Sequence, residues 1–100
     1  MAFENLVAMN VIDEERYTMY REAMRPLLES YGGGFRFDFG VQTTHTGPKE
    51  HPVTRVFGIY FRDREACQQF FADPRYAEVR KTHFEGAVDG FTVLAEYDQV

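Results

Sequence analysis

The chain has 100 residues, with 11 Lys and Arg against 16 Asp and Glu and a formal net charge of −5. That balance argues against nucleic acid and anionic membrane as partners, which need a clustered basic excess. The length fits one domain over residues 1–100, and 44% hydrophobic content with 27% charged residues argues against disorder. Tryptophan is absent, so ten Phe and six Tyr must supply much of the core. Met1-Ala2-Phe3-Glu4-Asn5 lacks a signal-peptide pattern, and no window approaches the roughly 18 apolar residues of a membrane span. The expected location is the cytoplasm.

Leu6 to Ile12 is a short apolar run with one polar interruption, Asn10, and reads as a strand buried on both faces. Asp13 caps a helix from Glu14 to Tyr31, with Glu14 and Glu15 placed well against its dipole. Tyr17, Tyr20, Met24, Leu27, Leu28 and Tyr31 form its apolar stripe, while Arg16, Arg21, Glu22, Arg25 and Glu29 fall mostly elsewhere. Pro26 predicts a kink or a split, and Gly32-Gly33-Gly34 a stop. Phe35 to Gln42 alternates strictly, placing Phe35, Phe37, Phe39 and Val41 on one face and Arg36, Asp38, Gly40 and Gln42 on the other.

Thr43 to Pro52 reads as an exposed connection, and Val53 to Phe61 as a third strand. Asp63 caps a second helix that buries Ala66, Cys67, Phe70 and Phe71, and Asp73-Pro74 restarts it. Tyr76, Val79 and Phe84 continue its apolar side to Gly86. Gly90 to Tyr97 supplies the last strand. The lone Cys67 reads as a buried structural thiol, and Tyr17 and Tyr20 read as core packing.

The order β-α-β-β-α-β predicts an α+β, ferredoxin-like fold, a four-stranded antiparallel sheet with two helices on one face. The aromatic register of Phe35, Phe37, Phe39, Phe57, Phe61 and Phe91 is the expected covered face. The opposite face would mix Val56, Tyr60 and Leu94 with Arg36, Asp38, Thr92 and Glu96. That is too apolar for bare solvent and too polar for a dry core, which predicts a second copy packed on the same patch.

The helix end Tyr31-Gly32-Gly33-Gly34-Phe35, the strand Arg55-Val56-Phe57-Gly58-Ile59-Tyr60-Phe61 and the restart Phe70-Phe71-Ala72-Asp73-Pro74-Arg75-Tyr76 occur in order over nearly the whole chain. With them the sequence resembles the domain-of-unknown-function family numbered 1330, within the dimeric α+β barrel group. The resemblance implies a ferredoxin-like fold and a homodimer built around facing sheets. It implies no reaction.

No phosphate loop, nucleophile elbow, zinc pair or dinucleotide fingerprint is present. His45 and His51 sit in the polar loop without metal-ligand spacing, so neither a metal nor a cofactor is expected. His83 lies near the end of the second helix, where an imidazole suits the dipole. Arg36 and Asp38, at i and i+2, are expected on the dimer-facing side, as interface charges or as part of a cavity with Asn10, Arg55 or Tyr60. In the cavity reading Asp38, or His83, is the candidate base, and an arginine holds an anionic substrate. Two functions follow: a small-molecule binder or cofactor-free enzyme, of monooxygenase or isomerase type, with a pocket beside the sheet, or a non-catalytic dimerisation module.

Overall fold

The computed structural model describes residues 2–99. Its elements are β1 (Phe3–Val11), α1 (Glu14–Ser30), β2 (Gly34–Gly40), β3 (Arg55–Phe61), α2 (Arg64–Ala72), α3 (Pro74–Val79), a π-helical turn over Arg80–Phe84, and β4 (Val88–Asp98). The strands form one antiparallel sheet in the order β2-β3-β1-β4. Because β1 is central and the helices pack on one side, its odd-numbered residues Phe3, Val7, Met9 and Val11 enter the core. They meet Phe57, Ile59 and Phe61 of β3, with Tyr17, Met24 and Leu28 of α1 and Phe70 of α2 above. The expectation that this strand is buried on both faces holds along most of β1.

Three aspartates start the helices as the sequence predicts. Asp13 accepts from the Arg16 amide at 3.0 Å, Asp63 from the Ala66 amide at 2.7 Å, and Asp73 from the Arg75 amide at 2.8 Å. The extended backbone of Asp73 divides the predicted second helix into α2 and α3, with Pro74 at the first helical position. The sheet is therefore covered by three helices and a π turn rather than by two helices. Pro26 neither splits nor ends α1. It is exposed, as is Glu22, whose carbonyl loses its i+4 donor, and the helix runs through to Ser30.

The stop of α1 has a geometric cause. Gly32 takes φ +69°, and the amides of Gly32 and Gly33 return to the carbonyls of Glu29 and Leu28 at 2.9 and 3.0 Å, the paired bonds of a Schellman ending. Gly33 is needed for a different reason. A Cβ there would lie 2.5 Å from the Tyr60 carbonyl oxygen and 2.7 Å from Leu28 Cδ1.

Strand β2 departs from strict alternation. Phe35 pairs with Ile59 and Phe37 with Gly58, so Arg36 is an extra residue, and a β-bulge reverses the phase of every side chain after it. Of the predicted aromatic register, Phe57 and Phe61 face the helices as expected. Of the three phenylalanines of β2 only Phe35 does so, against Phe57 at 5.6 Å between ring centroids. Phe37 and Phe39 stack on each other at 5.2 Å on the open face. Arg36 and Asp38 consequently lie on opposite faces, correcting the expectation that they share one. A second bulge at Leu94 of β4 has the same effect: Ala95 pairs with Leu6 and Val93 with Val7, and Glu96 joins the helix side instead of the open face.

Candidate functional site

The helices leave β4 largely uncovered, and residues 91–96 are exposed. Between the sheet and the helices this opens a cavity of about 430 Å³, within the range of small-molecule sites. Its floor is Val7 and Met9 of β1, with Phe35, Phe57 and Ile59. Tyr17, Tyr20 and Met24 line it from α1, and Phe71, Tyr76 and Phe84 continue the wall from α2, α3 and the π turn. Phe91 and Val93 of β4 complete it, and both they and Phe71 are exposed apolar residues at 50%, 41% and 45%. The lining is overwhelmingly apolar.

Arg21 is the exception that defines the site. It is only 7% exposed, which an arginine tolerates only when its charge and donors are met. Nε donates to the Tyr17 hydroxyl at 2.7 Å and Nη1 to Asp38 Oδ2 at 3.2 Å. The guanidinium carbon lies 3.8 Å from the Phe35 ring centroid and 4.6 Å from that of Phe57, which adds cation–π attraction. Nη2 is buried without a hydrogen-bond partner among the described residues, and so is Asn5 Oδ1. Asn5 Nδ2 points to Cys67 Sγ at 4.0 Å.

Asp38 is shared. Arg55 Nε and Nη2 grip its two oxygens at 2.9 and 2.8 Å, and Arg55 Nη1 reaches exposed Glu14 at 3.4 Å. Burial pushes the Asp38 carboxyl up, but the Arg55 bonds and the charges of Arg21 and Arg55 outweigh it and hold the group below its ordinary value. Three tyrosine hydroxyls and the thiol of the cavity wall move the opposite way. Burial raises the hydroxyls of Tyr17, Tyr20 and Tyr76, Tyr20 and Tyr76 sharing a 2.8 Å bond. Burial also pushes the Cys67 thiol up to about 11, which makes it a poor nucleophile.

Of the residues singled out in the sequence, Asp38 and Arg55 are brought together, beside Arg21. Arg36 lies on the open face, clamping fully buried Glu4 with bonds of 2.6 and 2.7 Å. Tyr97 and Gln99 donate to the same carboxylate. Tyr60 stands beside Gly34, where a Cβ would lie 2.7 Å from its hydroxyl. Asn10 lines a separate cavity of about 370 Å³ with His51, Pro52 and Leu94. His83 is half-buried on the π turn, and its carbonyl accepts from Arg16 Nε at 3.2 Å. Sequence reasoning passed over Arg21 and Asn5. A signal was present: Arg21 is four residues after Tyr17 and three before Met24, on the apolar stripe itself. Among the described residues no group of three or more His, Cys, Asp or Glu could hold a metal, and no helix is long and apolar enough to cross a membrane.

Three carboxylates bind protons less tightly folded than unfolded: Glu4 through its bonds from Arg36, Asp38 as above, and Asp73 through bonds from Arg75 and Tyr31. Their contribution to stability is present above the ordinary carboxylate range, about pH 4, and is lost as pH falls through the depressed folded values. The urea midpoint is therefore expected to be flat from pH 7 to 5 and to drop steeply towards pH 3. An equal midpoint at pH 7 and pH 3 would contradict these placements.

The architecture and strand order define a ferredoxin-like α+β protein. The chain belongs to the family described as Domain of unknown function (DUF1330), whose model matches residues 5–98. Solved structures share the fold at low identity. A protein of unknown function from Rhodopseudomonas palustris superposes with a TM-score of 0.82 at 19% identity, over 99% of this chain and 82% of that one. A dabb family protein with a ferredoxin-like fold from Mesorhizobium loti gives 0.64 at 13% identity, over 99% and 95%. A dimeric ferredoxin-like protein of unknown function from Jannaschia sp. gives 0.59 at 15% identity, over 99% and 100%. No curated protein matches the chain.

Proposed function

We propose that this protein is a cytoplasmic homodimer, packed through its open sheet faces, that binds a small, largely apolar molecule in the cavity beneath its helices. The cavity of about 430 Å³ carries the reading. A core of this size normally closes on itself, whereas here aromatic walls surround open space with an apolar mouth at β4. The wall acids Tyr17, Tyr20, Tyr76 and Cys67 all hold their protons more tightly than usual. This favours binding over cofactor-free proton transfer, and gives Asp38 and Arg55 the task of positioning Arg21.

Dimerisation is supported by the open face, where Phe39 and Leu94 are 61% and 55% exposed around the stacked Phe37 and the Glu4–Arg36 pair. It is supported also by the structural relative described as dimeric. The same face favours the second reading, a dimerisation module without a ligand. Native mass spectrometry separates the two. The first predicts twice the 11.7 kDa chain mass, with a neutral bicyclic aromatic such as 2-naphthamide adding once per chain. A dimer that never takes up the aromatic selects the module, and a species at 11.7 kDa overturns the dimer.

A further inference from the structure

Deepening that reading, and resting on it, we infer that the natural ligand of the helix-side cavity is an aromatic anion bearing a carboxylate or equivalent oxygen charge, held by Arg21. The first observation is the unused edge of the guanidinium. Arg21 is 93% buried by its 7% exposure, and Nη2 has no partner among the described residues although Nε and Nη1 are both engaged. The second is local charge. Arg21 and Arg55 share one carboxylate, Asp38, while Glu14 is 70% exposed and touches only Arg55, at 3.4 Å. Arg55 is met by Glu14 and by both oxygens of Asp38, so the buried Arg21 keeps only a 3.2 Å share of one carboxylate beside an apolar space. A buried charge compensated so thinly is costly until an anion meets it. Arg80 and Glu96, also in the cavity wall, are both exposed and carry opposite charges, so they leave the balance unchanged.

The third observation is the shape of the remaining wall. The Phe35 and Phe57 rings meet the guanidinium carbon from two adjacent directions, at 3.8 and 4.6 Å with 5.6 Å between their centroids. They cover part of the group and leave Nη2 without a polar partner among the described residues. A carboxylate meets a guanidinium edge in plane with short, charge-assisted bonds. Beyond it the rings of Tyr20, Tyr76, Phe84 and Phe91 offer edge-to-face contacts to a flat apolar body.

Calorimetric titration of the intact protein with 2-naphthoate and with 2-naphthamide tests this, since the two probes share ring and size and differ in charge. The expected result is tighter binding of the carboxylate by about ten-fold or more. That preference should be lost in Arg21→Met and reduced in Arg21→Lys, with circular dichroism confirming that each variant folds. The wild-type ratio stands even if a variant does not fold. Equal or tighter binding of the amide by the wild type overturns the anion and leaves the cavity reading standing. Failure of both probes to bind overturns the two together.

Discussion

Phe70→Ala is expected to lower the free energy of unfolding by about 4 kcal/mol and the melting temperature by about 20 °C at fixed protein concentration. Phe70 is fully buried and stands at the centre of an aromatic cluster. Its ring lies 4.6 Å from Tyr76, 5.0 Å from Phe71, 5.5 Å from Phe61 and 6.0 Å from Tyr31. These neighbours come from the C-cap of α1, β3, α2 and α3, so no single element can collapse into the space left behind. Phe71, one residue on, is the informative comparison: at 45% exposure on the cavity wall, its truncation should cost far less stability while weakening aromatic ligands. A loss below about 1 kcal/mol for Phe70→Ala, read by urea titration, would contradict its place as the keystone of helix packing.

Gly33→Ala should be nearly as damaging, by about 3 kcal/mol, although it adds a single methyl group. The new carbon would meet the main-chain oxygen of Tyr60 at 2.5 Å, and a backbone atom inside the sheet has no rotamer with which to withdraw. Relief requires moving the end of α1 away from β3. By contrast, Gly40→Ala, with nothing within 4 Å of the added carbon, should change stability by less than about 1 kcal/mol. Equal effects of the two substitutions in thermal melts would refute the close approach.

The elements were legible because their signals are local. Asp13, Asp63 and Asp73 are read as caps from their own positions, and each makes the predicted bond. The glycine stop and the apolar first strand are equally local. The faces of β2 and β4 were not legible, since alternation predicts a side only while the period of two is unbroken. A single extra residue, Arg36 or Leu94, reverses everything beyond it. That reversal moves Asp38 under the helices and Phe37 and Phe39 out of the core.

It also explains why the site was half read. Asp38 and Arg55 were named from chemistry, and they do meet, but the partner that joins them to a cavity is Arg21. An arginine on an apolar stripe is ordinarily assigned to the helix surface, because burial of its charge needs a tertiary partner from a distant strand, here Asp38. The cavity itself has no sequence signal, since it arises from where the helices end relative to β4.

The most direct test of the central claim uses the methionine methyl groups. Met9 and Met24 line the helix-side cavity, whereas Met19, also on α1, is 51% exposed and is not among the residues lining it. In methyl-labelled protein titrated with 2-naphthamide, ring-current shifts are expected at Met9 and Met24, with Met19 unmoved. Shifts confined to Met19, or none at any of the three at saturating probe, would contradict a ligand site beneath the helices.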